Sequence, residues 1–137
     1  MMNEKMAAAQ HRLEENGVLL RTSLSVVDVL RKIRTEELLL PENRRTPDCC
    51  LVRCQYSLWL CFDALQGGGL KGLFYSDSLL IRGGMSLLLA PLCGLSGEEM
   101  RRLDWESVKR AWSANEGLFA GGVVLENLIR FMFKSLG

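Results

Sequence analysis

An alternating run followed by a glycine triplet sets the first constraint on this chain. Val52, Cys54, Tyr56, Leu58 and Leu60 fall on one side of a period-two pattern. Arg53, Gln55 and Ser57 fall on the other, with Trp59 the apolar exception. Period two is the repeat of a half-buried β-strand. Gln66-Gly67-Gly68-Gly69 then supplies residues that tolerate positive φ, and Lys71 to Ser76 reads as the returning strand of a hairpin. Ser76-Asp77-Ser78 has the residue types of a helix start. The residues that follow (Leu79, Leu80, Ile81, Met85, Leu87, Leu88 and Leu89) make a nearly all-apolar helix. Gly83-Gly84 inside it costs roughly 2 kcal/mol of helix propensity. The pair is therefore expected to permit a close backbone approach, to the sheet. Pro91 and Gly94 bound the C-terminal end.

The flanking segments are helical or irregular. Met2 to Asn16 reads as a polar helix ending at Gly17, or as a frayed extension. Ser25 to Arg34 reads as an amphipathic helix: Ser25 can cap it with Asp28 three residues on, and Val26, Val27, Leu30 and Ile33 form its stripe. Two prolines and a polar run make Leu38 to Pro47 a connector. Ser96-Gly97-Glu98-Glu99 is a capping box opening a short helix to Leu103, and Trp105 to Trp112 is another. Gly117 and Gly121-Gly122 mark a turn. A last helix, Val123 to Ser135, is expected to bury Val124, Leu125, Leu128, Ile129 and Met132. Helix, then strands, then helices specifies α+β rather than βαβ: a small antiparallel β-sheet packed against several helices. The 137 residues fit one domain, 1–137, with 1–20 a helical or flexible N-terminal extension.

Charge and cysteine usage narrow the function classes. The net charge is +1, which gives no case for nucleic acid or an anionic membrane surface. The longest apolar stretch, Gly83 to Leu95, falls short of the roughly 20 residues that span a bilayer. Five cysteines is an odd number, and Met1 to Asn16 contains no apolar core of a secretory signal. Reduced thiols in a cytoplasmic setting are the expectation.

Four segments carry a further pattern. They are Leu40-Pro41-Glu42 with Arg45, Cys54-Gln55 with Trp59, Ser76-Asp77-Ser78-Leu79-Leu80-Ile81-Arg82-Gly83, and Leu95-Ser96-Gly97-Glu98-Glu99 with Asp104. In order and spacing they resemble the SufE family. There an L-P-E…R connector precedes a C-x-S-x-V-W cysteine segment, followed by G-D-S-D-x-x-I-V-K-G-L and G-x-T-P-E-E-I…D. Colinearity over about half the chain carries the resemblance, not any one segment. It implies a SufE/IscU-like α+β fold. It also implies a sulfur-transfer accessory protein, not a stand-alone enzyme. Cys54 would accept persulfide sulfur from a cysteine desulfurase and pass it to iron–sulfur cluster assembly, the desulfurase and a cluster scaffold being the partners. No cofactor is implied on this chain; pyridoxal phosphate belongs to the desulfurase. Arg53, Gln55, Asp77 and Arg82 become the supporting positions, with Asp77 and Arg82 on a helix beside the cysteine loop. The chain is a divergent member: Arg53 stands where the family has Gly, and Gly121-Gly122 where it has Ser-Arg.

The chemistry suits the role. A persulfide acceptor must present a thiolate, and Arg53 beside Cys54 can lower its pKa through charge. Blander readings stand next to each assignment. Cys54 also fits a buried small hydrophobe on an alternating strand. Asp77 fits a cap or first-turn acid, and Arg82 a solvated residue. Cys49 and Cys50 read as incidental loop cysteines, with a Cys49–Cys54 or Cys50–Cys54 disulfide open to them under oxidation. Cys93 reads as core, and Trp59, Trp105 and Trp112 as packing residues. The cysteines lack C-x2-C spacing, the single histidine, His11, is distant, and Cys61 would have to leave the core face of its strand to join them, so no metal is expected. Two other functions fit the same residues: a binding module that docks on a desulfurase or another partner without carrying sulfur, and an unrelated function on the same fold. Sulfur on Cys54 separates the first reading from both.

Overall fold

In the computed structural model, which describes residues 3–22, 32–33, 35–52, 57–113 and 123–136, the glycine triplet turns the chain as its residue types require. The strands are β1 (Cys50–Val52), β2 (Ser57–Ala64) and β3 (Leu70–Ser76), in an antiparallel sheet of order β1-β2-β3. The β2–β3 turn holds Gly68 and Gly69 at φ 95° and 81°, backbone that L side chains rarely adopt. The expected hairpin is present, with Leu58 paired to Ser76 at one end and Ala64 to Leu70 at the other.

The single strand expected from Val52 to Leu60 is instead two. Cys50, Leu51 and Val52 pair antiparallel with Trp59, Leu58 and Ser57. The chain therefore reverses between Val52 and Ser57. Residues 53–56 lie outside the described residues. Arg-Cys-Gln-Tyr contains none of the turn-forming residue types, so a period-two count runs straight through the reversal.

The helices are α1 (Glu4–Thr22), α2 (Leu79–Leu89), α3 (Gly97–Arg102), α4 (Trp105–Ser113) and α5 (Val123–Ser135). The helical alternative for the N-terminal segment is the one observed, but α1 does not stop at Gly17. A Cβ there would lie 2.6 Å from Trp112 Cδ1 and 2.8 Å from the Ala111 carbonyl carbon. That glycine serves a close helix–helix approach rather than a stop. Ser78 caps α2, accepting from the Ile81 N–H at 3.3 Å. Ser96 and Glu99 form both arms of the capping box on α3. The close contact between α2 and the sheet is recorded at Gly72 of β3, where a Cβ would meet Leu89 at 3.0 Å. Gly83 and Gly84 are buried within α2. The amphipathic helix expected at Ser25 to Arg34 falls almost wholly on residues 23–31 and 34, outside the described residues. So does the turn around Gly117 and Gly121-Gly122.

One apolar core joins these elements. Leu58, Leu60 and Phe74 of the sheet meet Leu13 and Leu20 of α1, Met85 and Leu88 of α2, Met100 of α3, Trp112 of α4 and Met132 of α5. No helix among the described residues is long and apolar enough to cross a membrane.

Candidate functional site

Alternation along β2 buries Leu58 and Leu60 on the helix side and leaves Trp59, Cys61 and Asp63 half-buried on the opposite, outer face. Cys61 is therefore not on the core face, as the sequence reading had it. On the same face Trp59 pairs with Tyr75, Cys61 with Leu73 and Asp63 with Lys71. Trp59 and Tyr75 meet in a tilted ring contact at 6.0 Å.

The proline-bounded connector covers this face. It consists of three short 3-10 turns, Glu36–Leu38, Glu42–Arg44 and Pro47–Cys49. It starts at the free edge of β3, where Leu39 bridges Phe74 in parallel and the Leu40 N–H donates to Phe74 O at 2.8 Å. Arg45 then lies over the Tyr75 ring, 3.4 Å from its centroid, and donates to Leu40 O. Arg44 forms a bidentate pair with Asp63 at 2.7 and 2.6 Å. The connector ends at Cys49, which lines one cavity with Cys61, and Cys50 enters β1 opposite Trp59. It thus crosses from one edge of the sheet to the other.

A second guanidinium reaches Tyr75 from α2. Arg82 lies 4.6 Å from the ring centroid and donates to the Tyr75 hydroxyl at 3.0 Å and to Ser76 O at 2.6 Å. The solvated role considered for Arg82 is therefore not observed; it is half-buried and ties α2 to β3. Asp77 is exposed and is not the cap, which is Ser78. Asp77 acts electrostatically on Cys50, whose thiol is pushed up first by burial, then by the charge of Cys49, and further by Asp77.

Cys54, Arg53 and Gln55 lie outside the described residues. Their flanks are fixed: Val52 pairs with Ser57, and the next residue, Leu58, pairs with Ser76. Ser57 is thus next to the Leu58–Ser76 pair, at the end of the sheet where β3 passes into α2. Cys93 is exposed, not core, because the chain leaves α2 through a 3-10 turn that buries Pro91 and Leu92 instead. Trp105 and Trp112 are packing residues, donating to Met100 O and Leu13 O. Among the described residues, no group of three or more His, Cys, Asp or Glu side chains could hold a metal ion.

Sequence reasoning missed the Cys49–Cys61 pair. Burial alone would raise the Cys49 thiol, but hydrogen bonding at Thr46 outweighs it and holds Cys49 below the ordinary thiol range. Cys61 is pushed up to about 11, by burial first and then by the neighbouring Cys49, with Arg44 pulling the other way. The alternation Trp59-x-Cys61-x-Asp63 was the available signal for a polar outer face. Nothing local announced which segment would cover it.

Asp63 makes a testable pH statement. The Arg44 hydrogen bonds hold its carboxyl below the ordinary value of 3.8, against burial, with Arg44's charge assisting. A depressed carboxyl contributes stability that is present above the ordinary pKa and lost as pH falls through the folded one. The Tm advantage of the native chain over Asp63→Asn should therefore shrink between about pH 5 and pH 2.5. A pH-independent difference over that range would mean the pair contributes no acid-sensitive stability.

No protein-family model matches the chain, and no curated protein matches it.

Proposed function

We propose that this protein is a sulfur acceptor: Cys54 takes persulfide sulfur from a cysteine desulfurase and hands it on to iron–sulfur cluster assembly. One observation carries the reading. Two segments that are distant in sequence, and that the SufE-like pattern groups together, meet at one end of the sheet. Arg45 of the connector and Arg82 of α2 both lie on Tyr75. The anchors of residues 53–56 sit at the same end, through the pairing of Leu58 with Ser76. Two guanidiniums fixed by backbone carbonyls supply positive potential there, which favours an anionic sulfur species over a neutral one. Apolar Trp59 and half-buried Cys50 line a cavity of about 350 Å3 with Arg45 and Pro47. Such a recess would shield a persulfide held in it from reductants between loading and delivery.

The test is direct. The protein is incubated with a cysteine desulfurase and free cysteine, alkylated, digested and mapped by mass spectrometry. A one-sulfur mass increment is expected on Cys54, and Cys54→Ser should reduce loading to background while leaving the circular dichroism spectrum unchanged. Equal loading of both chains, mapped to another cysteine, sinks the assignment. Binding to the desulfurase with no sulfur on any cysteine would instead identify a docking module.

A further inference from the structure

The connector's crossing of the outer face brings together two thiols that the sulfur-acceptor reading does not use. Cys49 closes the last 3-10 turn, and its sulfur is held by donation to Arg44 O and Thr46 O at 3.5 Å and by contact with the Thr46 hydroxyl at 3.6 Å. Cys61 stands on β2, and the register that sets Cys50 opposite Trp59 brings Cys49 alongside that part of the strand. Both are free and half-buried. They open on one cavity of about 400 Å3, whose wall also carries Arg44 and Lys134. The two thiols are therefore half-buried on neighbouring segments of one cavity wall, which Arg44 and Lys134 share with the acid Asp48. These are the properties of an attacking thiol with a resolving thiol at hand. The neighbouring Cys50 does not share them: it points to the separate recess with Trp59 and Arg45.

We propose that Cys49 and Cys61 form a dithiol redox site that hydrogen peroxide closes into an intramolecular disulfide. The Cys49 sulfur attacks the near oxygen of the peroxide; the O–O bond breaks, and Cys49 becomes a sulfenic acid while hydroxide leaves and takes up a proton. The Cys61 sulfur then attacks the sulfenic sulfur; an S–S bond forms, the S–O bond breaks, and the Cys61 proton leaves with the hydroxyl as water. Peroxide is reduced to two waters, and the two thiols are oxidised by two electrons. A dithiol reductant returns the pair by thiol–disulfide exchange. The bond would tie the end of the connector to the middle of β2, fixing the cover of the outer face without touching Cys54.

The experiment uses the full chain, reduced and then treated with hydrogen peroxide, followed by alkylation and non-reducing peptide mapping. A Cys49–Cys61 linked peptide is expected, and dithiothreitol should remove it. Cys61→Ser should lose the cross-link to background and accumulate a dimedone-trappable sulfenic acid on Cys49. Cys49→Ser should lose both signals. Cys93→Ser should leave the cross-link unchanged, which controls for general effects of removing a thiol. Cross-linking of Cys49 to Cys50 or Cys54 instead, or sulfenic acid appearing first on Cys61 or Cys93, overturns the proposal. So does unchanged dithiol content when the Cys49→Ser chain is folded and the native chain shows no linked peptide. None of these outcomes depends on sulfur loading of Cys54, so the failure of one reading leaves the other standing.

Discussion

Gly69→Ala is expected to cost about 3 kcal/mol or more, lowering Tm by roughly 10 °C. The argument rests on two independent effects at one position. Gly69 has φ 81°, and an L side chain in that region costs about 1–2 kcal/mol. Its added Cβ would also lie 2.1 Å from Gly94 O and 2.3 Å from the Gly94 carbonyl carbon. Those are backbone atoms and cannot swing aside as a side-chain tip would. The Gly94 turn would have to shift, and it is bonded to the hairpin on both sides: Gly94 N–H donates to Leu70 O and Leu70 N–H to Leu95 O, each at 2.9 Å. Losing part of that pairing costs about 1 kcal/mol per bond. The neighbouring glycines separate the two effects. Gly68 has φ 95° but open space around its Cβ position, so Gly68→Ala should cost the conformational part alone. Gly67 has neither constraint, and Gly67→Ala should be neutral or slightly stabilising through the unfolded state. Thermal melts of the three variants should rank 69, 68, 67 in order of loss. Equal effects at 68 and 69 would mean that the contact with the Gly94 turn carries no stability.

These glycines also show where sequence reasoning reaches. The β2–β3 hairpin was legible because a triplet of glycines between two alternating runs has one common use. The Ser96–Glu99 capping box and the last helix, Val123–Ser135, were legible because they depend on residues three or four apart. The α+β class followed from the order of those elements. The reversal between Val52 and Ser57 was not legible, because its residue types match a strand and the register is set by partners elsewhere in the sheet. Gly17 misled for the opposite reason. Locally it is a helix stop, but contact with Trp112, 95 positions on, makes glycine a requirement inside α1. The candidate site divides along the same line. Arg82 was placed correctly on the helix that follows β3, whereas Asp77 falls just before its cap, Ser78. What Arg82 holds, and the meeting of Cys49 with Cys61, depend on the connector's path across the outer face, which no short-range pattern encodes. Cys93 failed as a core residue because an apolar neighbourhood in sequence says nothing of which way the residue after a 3-10 turn points.

The α1–α4 junction carries the other large effect: Trp112→Ala should cost about 3–5 kcal/mol. Trp112 is 1% exposed, packs against Gly17, and donates from its indole nitrogen to Leu13 O at 2.9 Å. The two helices are locked again at the start of α4, where the Gln10 side chain accepts from the Asp104 N–H at 2.8 Å and donates to Asp104 O at 3.0 Å. That second lock keeps the helices in register, so removing the indole leaves a cavity rather than allowing α1 to collapse onto α4. Trp112→Phe should lose less, chiefly the hydrogen bond and part of the ring volume. Gly17→Ala opposes two terms. Alanine gains about 1 kcal/mol of helix propensity, but its Cβ would overlap Trp112 and the Ala111 backbone. The overlap with backbone should win, making the substitution destabilising despite the propensity. Combining Gly17→Ala with Trp112→Ala removes the indole from that overlap and places a methyl at the edge of the cavity. The double variant should therefore lose less than the two single losses together, by an interaction of about 1 kcal/mol. Chemical denaturation of the four chains measures it. Strict additivity, or a stabilising Gly17→Ala, would show that Gly17 is an ordinary helix interruption and that the close approach of α1 to α4 is not what requires it.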